Sequence, residues 1–165
     1  MTDAKPVRAL VMNSSADTLD LLRQYLEFKG FAVETCNLGR LRREGIDVAD
    51  TVARVQPDVV VFDIALPYDV NWEVCAALQR DPRIVAPFVL TTTNRAAVER
   101  LTGARGIIEI LGKPYDLEHV VEAVHAAVAA RGKPAGDSPP TNARRGVDRR
   151  DRDRRHEERR KKPPS

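Results

Sequence analysis

The sequence is poor in the residues on which disulfide-stapled and metal-built proteins depend. It holds two cysteines, Cys36 and Cys75, and one tryptophan, and aromatic residues make up only 5% of the chain. Two scattered cysteines are too few for a disulfide framework or a zinc site, and small buried apolar side chains are the simplest interpretation. No glycine-rich phosphate loop, catalytic triad or metal cluster can be recognised, so an enzyme acting on outside substrates is not expected.

Long apolar runs are also missing. No stretch of 18 consecutive apolar residues occurs, so no membrane-spanning helix and no membrane partner are expected. The first residues, Met1–Pro6, lack the apolar centre of a signal peptide. With the sparse cysteines, these absences predict a cytoplasmic protein. Hydrophobic residues still make up 42% of the 165 residues, which is enough for one domain with a real core.

Charge is distributed unevenly along the chain. Residues 1–131 carry 15 basic and 18 acidic residues, whereas residues 132–165 carry 12 and 6, so an acidic body precedes a basic tail. The tail opens with a Pro/Gly-rich linker, and the segment 144–162 offers only Val147 as an aliphatic residue. Such a segment cannot bury enough surface to offset its chain entropy. We therefore predict a domain over 1–131 and a disordered tail over 132–165.

Acidic residues are interleaved with the arginines of the tail. Mixed charge weakens the binding of nucleic acid by counterion release, and no aromatic residue lies between the arginines to stack on bases. A solvated tail is the first interpretation. A docking segment for an acidic partner and a contact with nucleic acid are the alternatives.

Two periodicities alternate along the body of the chain. Short runs rich in β-branched residues predict five strands, and apolar residues at a period of 3.6 predict five helices. The predicted strands are 7–12, 31–36, 59–62, 87–92 and 106–111, and the predicted helices are 16–29, 48–55, 72–80, 94–102 and 117–128. The arginine-rich segment 37–46 is predicted to be an irregular loop.

This alternation predicts an α/β fold with a parallel sheet and right-handed crossovers. In the five-stranded doubly wound order 2-1-3-4-5, of flavodoxin-like type, the ligand crevice lies beside the carboxyl ends of strands one and three. Asn13 and Ser14 follow the first strand, and Asp63 ends the third. An aspartate at that place is a phosphoryl acceptor, a metal ligand or a helix-capping residue.

Residues at three strand ends carry a resemblance to the receiver domain of bacterial two-component response regulators. They are Asp63 at the third strand, the Leu66-Pro67 pair behind it, Thr92 at the fourth strand and Lys113-Pro114 after the fifth. The resemblance covers residues 7–130. It implies that Asp63 takes a phosphoryl group from a histidine kinase or phosphotransfer protein, and that Thr92 and Lys113 contact this group. It also implies a cis Lys113–Pro114 bond.

The sequence departs from this family at the metal site. In the family, two adjacent acidic residues hold Mg²⁺ together with the aspartate and a backbone carbonyl, which here would be that of Ala65. The matching positions are the neutral Asn13 and Ser14, so Mg²⁺ is expected to bind weakly or not at all. Asp63 would then pair with Lys113, which would hold the site in one state without metal.

Three further departures concern the surroundings of the site. Ile110 stands where the family usually has the switching Tyr or Phe, and an aliphatic side chain cannot rotate a ring. Asn71 and Trp72 stand where a Gly and an apolar residue are common. The segment 37–46 is longer than the family usually shows.

The resemblance implies an atypical, stand-alone response regulator that acts by protein–protein contact. Its expected output surface, for a target or a second copy, is formed by the fourth predicted helix, the fifth strand and the last helix. Two alternatives stay open. One is a phosphorylation-independent scaffold with the same fold, and the other is a nucleic-acid-associated factor that acts through the basic tail.

Overall fold

A computed structural model describes residues 5–102 and 107–131 of the chain. Five strands and six helices lie within these residues. The strands are β1 (Arg8–Asn13), β2 (Ala32–Asn37), β3 (Val59–Ile64), β4 (Phe88–Thr92) and β5 (Ile107–Gly112). The helices are α1 (Ala16–Phe28), α2 (Leu38–Glu44), α3 (Val48–Val55), α4 (Tyr68–Arg80), α5 (Arg95–Thr102) and α6 (Leu117–Arg131).

The strands form one parallel sheet in the order β2-β1-β3-β4-β5. This confirms the predicted α/β fold and the predicted strand order. Parallel pairing brings the carboxyl ends of β1, β3 and β4 to the same edge of the sheet. The crevice beside this edge is therefore built from residues that are far apart in the sequence.

Apolar side chains cover both faces of the sheet. All six residues of β3 are buried, as expected for a central parallel strand with helices on each side. On one face, Phe62 and Ile64 belong to a core, called the first core below, that includes residues of α2 to α5. On the other face, Val59 and Val61 pack in a core with residues of α1 and α6. This double burial fixes β3 and holds the residue at its end in place.

Segment 37–46 is not the irregular loop that its arginines suggested, because residues 38–44 form helix α2. The Asn37 side chain caps it by accepting a hydrogen bond from the Arg40 amide at 2.9 Å. Gly45 ends it in the left-handed conformation, with φ 64°. Leu38 and Leu41, three residues apart, are buried on one face. The prediction of five helices was therefore wrong for the described residues, which contain six.

Helix α4 begins one turn earlier than predicted, at Tyr68 rather than near Trp72. The backbone N–H group of Asn71 donates to the carbonyl of Pro67 at 3.1 Å and closes this first turn. Trp72 is partly buried against the first core. The Lys113–Pro114 peptide bond is cis, as predicted, and the Leu66–Pro67 bond is cis as well.

Parts of the prediction fall on residues that the structure does not describe. The linker and the basic tail, 132–165, lie outside the described residues, so the predicted division at residue 131 stays a prediction. Within residues 5–102 and 107–131, no helix combines the length and the apolar character needed to cross a membrane.

Both cysteines are buried and have free thiols. Burial raises the pKa of the Cys36 thiol to about 11 and that of the Cys75 thiol to about 12. We expect both thiols of the folded protein to react with a disulfide reagent at pH 8 at least about tenfold more slowly than in urea. The exposed neighbour of Cys36 offers a control, because a Thr35→Cys thiol should react at once.

The same burial predicts a pH dependence of stability. A thiol of the unfolded chain loses its proton near the ordinary pKa of 9.0, whereas the buried Cys36 thiol keeps it until about pH 11. The unfolded state is therefore favoured as the pH rises above 9, and the free energy of unfolding should fall between pH 8 and pH 10. Urea titrations at the two pH values measure this change. If the free energy of unfolding of a Cys36→Ala, Cys75→Ala variant falls by the same amount between pH 8 and pH 10, the assignment to the thiols is wrong.

Candidate functional site

Three neighbouring strands each bring one polar group to the carboxyl edge of the sheet. Asp63 lies in β3, Thr91 lies opposite it in β4, and Lys113 follows β5. The Asp63 side chain is almost fully buried, with 6% of the residue exposed. A carboxylate this buried needs partners, because an unpaired charge is costly away from water.

One oxygen of Asp63 receives both partners. Lys113 Nζ lies 2.7 Å from Asp63 Oδ1, and the Thr91 hydroxyl donates to the same oxygen at 2.7 Å. The ion pair expected from the sequence is therefore present. Among the described residues, no hydrogen bond or ion pair engages Asp63 Oδ2.

The hydroxyl beside Asp63 belongs to Thr91 and not to Thr92, which the sequence had indicated. In the parallel register, Asp63 pairs with Thr91 and Ile64 pairs with Thr92. Side chains alternate between the faces of a strand, so only Thr91 shares the face of Asp63. The buried Thr92 hydroxyl instead accepts a hydrogen bond from the Asn94 amide at 3.1 Å.

Tyr115 is a member of the site that the sequence analysis missed. Burial and, to a lesser degree, the charge of Asp63 raise the pKa of its phenol above the ordinary value, while a hydrogen bond with Thr91 acts in the opposite direction. The phenol therefore stays neutral near the carboxylate. Its place two residues after Lys113 was the only available signal. Ile110, which stands where the family usually has its switching aromatic residue, is buried in the first core.

The residues of the expected metal site have neutral side chains apart from Asp63, and each of them already has one oxygen in a hydrogen bond or ion pair. Asn13 is buried, and its Oδ1 accepts a hydrogen bond from the Ser15 amide at 2.8 Å. Ser14 is exposed, and its carbonyl accepts from Asn37 Nδ2 at 3.4 Å. The Ala65 carbonyl accepts from Asn71 Nδ2 at 2.8 Å.

This donor set does not fit Mg²⁺, which prefers carboxylates and water in octahedral geometry. Asp63 supplies one carboxylate, and its Oδ1 is held by Lys113. No group of three or more His, Cys, Asp or Glu side chains in the described part of the chain could hold a metal ion.

The loop between β3 and α4 and the first turn of α4 carry exposed apolar residues, and this turn is bonded to a neighbouring loop. The Tyr68 and Thr93 hydroxyls share a hydrogen bond of 2.9 Å, which links the start of α4 to the loop after β4. Leu66 is 74% exposed and Val70 is 44% exposed. Apolar surface therefore lies directly beside the site.

Known proteins similar to this chain are response regulators and receiver domains. No family model matches the sequence. The chain is 30% identical over 136 residues to the response regulator MprA of Mycobacterium sp. (strain KMS), and the match covers 82% of this chain and 56% of MprA. It is 32% identical over 122 residues to MprA of Mycolicibacterium vanbaalenii, covering 73% and 50%. The chain thus spans about half the length of these curated relatives.

Solved structures show the same fold. The signal receiver domain of a putative Luxo repressor protein from Vibrio parahaemolyticus matches with a TM-score of 0.63 at 17% identity, covering 76% of this chain and 92% of that domain. The chemotaxis response regulator CheY4 of Vibrio cholerae matches with a TM-score of 0.58 at 20% identity, covering 74% and 99%. The sheet order, the placement of Asp63 and Lys113, and these likenesses agree: the chain contains a receiver domain of the response-regulator family of two-component systems.

Proposed function

We propose that this chain relays a signal by protein–protein contact and that Asp63 is its phosphoacceptor. The observation that carries the proposal is the contact of Asp63 Oδ1 with both Lys113 and Thr91 at the carboxyl edge of the sheet. A buried carboxylate with an ammonium group and a hydroxyl beside it suits the receipt of an anionic group. The family of its relatives supports a histidine kinase or phosphotransfer protein as the donor.

The proposed reaction uses the second carboxylate oxygen. Asp63 Oδ2 attacks phosphorus and forms an O–P bond, while the bond between phosphorus and the donor nitrogen or oxygen breaks and its electron pair leaves with the donor. The Lys113 ammonium offsets part of the charge that the phosphoryl group brings to the site. The Thr91 hydroxyl can donate to a phosphoryl oxygen in place of Asp63 Oδ1. We propose that Mg²⁺ assists weakly or not at all.

The output surface proposed for this chain is formed by α5, β5 and α6, the surface that the family uses for targets and dimers. Leu101 on α5 is 38% exposed, which supports a role of this helix in contact. A phosphorylation-independent scaffold is the second candidate function. The completed Asp63–Lys113 pair favours it, because the site is charge-balanced without metal or phosphate.

Phosphorylation can be tested on the full chain with a small phosphoryl donor such as phosphoramidate. We expect intact-mass spectrometry to detect one added phosphoryl group, which hydroxylamine removes because it is an acyl phosphate. Asp63→Asn should abolish the addition, since the amide is not a comparable nucleophile. The exposed Asp69→Asn on α4 should leave it unchanged. Absence of labelling in the wild-type chain would contradict the phosphoacceptor and favour the scaffold.

Metal binding gives a separate prediction. Titration of the full chain with MgCl₂ should show no saturation below the millimolar range, the order of magnitude expected of a poor oxygen site. The double variant Asn13→Asp, Ser14→Asp should introduce binding, because it supplies the missing carboxylates. Isothermal titration calorimetry measures both. Saturation of the unaltered chain at micromolar Mg²⁺ would contradict the proposed metal-poor site.

The ion pair should contribute measurably to stability. Lys113→Met leaves the buried Asp63 carboxylate without its cation, and we expect the free energy of unfolding to fall by about 1–3 kcal/mol. Adding Asp63→Asn should recover part of that loss, because the pair is then removed as a unit. Urea denaturation of the two single variants and the double variant measures the coupling.

A surface pair provides the matched control for this cycle. Asp20 and Arg23 form an exposed ion pair of 3.1 Å on α1, for which a coupling of about 0.5 kcal/mol or less is expected. A coupling between Asp63 and Lys113 no larger than that of the control pair would show that the buried contact does not hold the site.

A further inference from the structure

Helix α2 brings a cation to the loop that follows Asp63. Arg42 Nη2 donates to Asn71 Oδ1 at 3.2 Å, and these residues are 29 positions apart in the sequence. Asn71 is buried, and its Nδ2 donates to the carbonyls of Ala65, at 2.8 Å, and Pro67, at 3.1 Å. A chain of two hydrogen bonds therefore runs from the guanidinium group to the Ala65 carbonyl.

The charge on Arg42 is not balanced locally. No acidic side chain of the described residues lies within ion-pair distance of it, whereas Arg40 on the same helix pairs with Glu44 at 2.9 Å. Hydrogen bonding to a cation polarises the Asn71 amide and strengthens its N–H groups as donors. The Ala65 carbonyl therefore accepts a hydrogen bond from an amide that a positively charged group polarises.

We propose that Arg42 and Asn71 form a clamp on the Ala65 carbonyl that excludes divalent cations from the site. A metal ion bound by this carbonyl would face the Asn71 N–H group and the repulsion of the guanidinium charge. The clamp acts independently of Asn13 and Ser14, which only fail to supply carboxylates. Arg42 and Asn71 therefore act through their position. They supply a fixed positive charge of the protein in place of a bound metal ion.

The clamp gives helix α2 a role in the site. Leu38 and Leu41 hold helix α2 on the domain, because both side chains are buried in the first core. Its exposed face then carries Arg42 to Asn71 at the start of α4. The segment that departs from the family in length is thus the segment that supplies the cation.

The test uses the full chain with Asn13→Asp and Ser14→Asp, in which carboxylates are present and Lys113 is kept, so that the contribution of the clamp is measured separately. Arg42→Ala or Asn71→Ala in this background should tighten Mg²⁺ binding by about three- to tenfold, since a repelling charge or a competing donor is removed. Arg42→Gln retains a donor for Asn71 but removes the charge, so it separates the effect of the charge from that of the hydrogen bond. It also replaces Arg42→Ala in the test if that variant does not fold. Calorimetry and the fluorescence of Trp72, the single tryptophan beside Asn71, report binding.

Arg43 provides the matched control. It is exposed on the same helix, and its side chain makes no hydrogen bond or ion pair with a described residue. Arg43→Ala should therefore change Mg²⁺ affinity by less than about twofold, because salt screens most of the effect of an exposed charge. Equal effects of Arg42→Ala and Arg43→Ala would overturn the clamp, because general charge would then explain both.

Two other outcomes would also overturn the proposal. One is that neither Arg42→Ala nor Asn71→Ala tightens Mg²⁺ binding beyond that of the parent double variant, including the case in which none of these proteins binds the metal. The other is that both changes lower stability without moving the affinity, as a purely structural hydrogen bond would. No phosphoryl donor enters this experiment, so its result is independent of whether Asp63 is phosphorylated.

Discussion

The contact between Asp63 and Lys113 is the constraint on which the site depends. It joins the ends of β3 and β5, which are separated in the sheet by β4, and Thr91 on β4 completes the contact from the middle. A carboxylate buried at this edge is tolerated because one cation and one hydroxyl reach it. The apolar cores on both faces of the sheet keep the three strand ends in register, and so keep the three groups together.

Charge balance explains the rest of the site. With a single carboxylate and a single ammonium group in contact, two further carboxylates at positions 13 and 14 would need another cation. Neutral Asn13 and Ser14 remove that need. The Asn13 side chain accepts a hydrogen bond from the Ser15 amide, and the Ser14 backbone carbonyl accepts one from Asn37. The proposed clamp of Arg42 and Asn71 acts in the same direction, since it adds positive charge where the family resemblance implies a metal. In the function proposed above, Asp63 therefore acts as the phosphoacceptor with a reduced dependence on a divalent cation.

The features that the sequence did not predict have specific physical causes. Helix α2 was missed because its three arginines concealed a short apolar face, although the Asn37 cap and Gly45 were visible. Thr91 was missed because neighbouring threonines at positions 91, 92 and 93 can be told apart only when the register of β4 against β3 is known. The start of α4 was placed too late because Pro67 and Tyr68 give no side-chain capping signal.

The sequence by itself determined the strands, most of the helices and the position of Asp63, because periodicity, capping residues and prolines act over a few neighbouring residues. The order of the sheet was expected from the alternation of strands and helices, which is typical of doubly wound folds. The expected partnership of Asp63 and Lys113 came from the family resemblance. Only the tertiary structure decided which hydroxyl reaches Asp63 and that Arg42 contacts Asn71. These contacts depend on strand register and helix packing, and a shift of one residue in a strand turns every side chain to the opposite face.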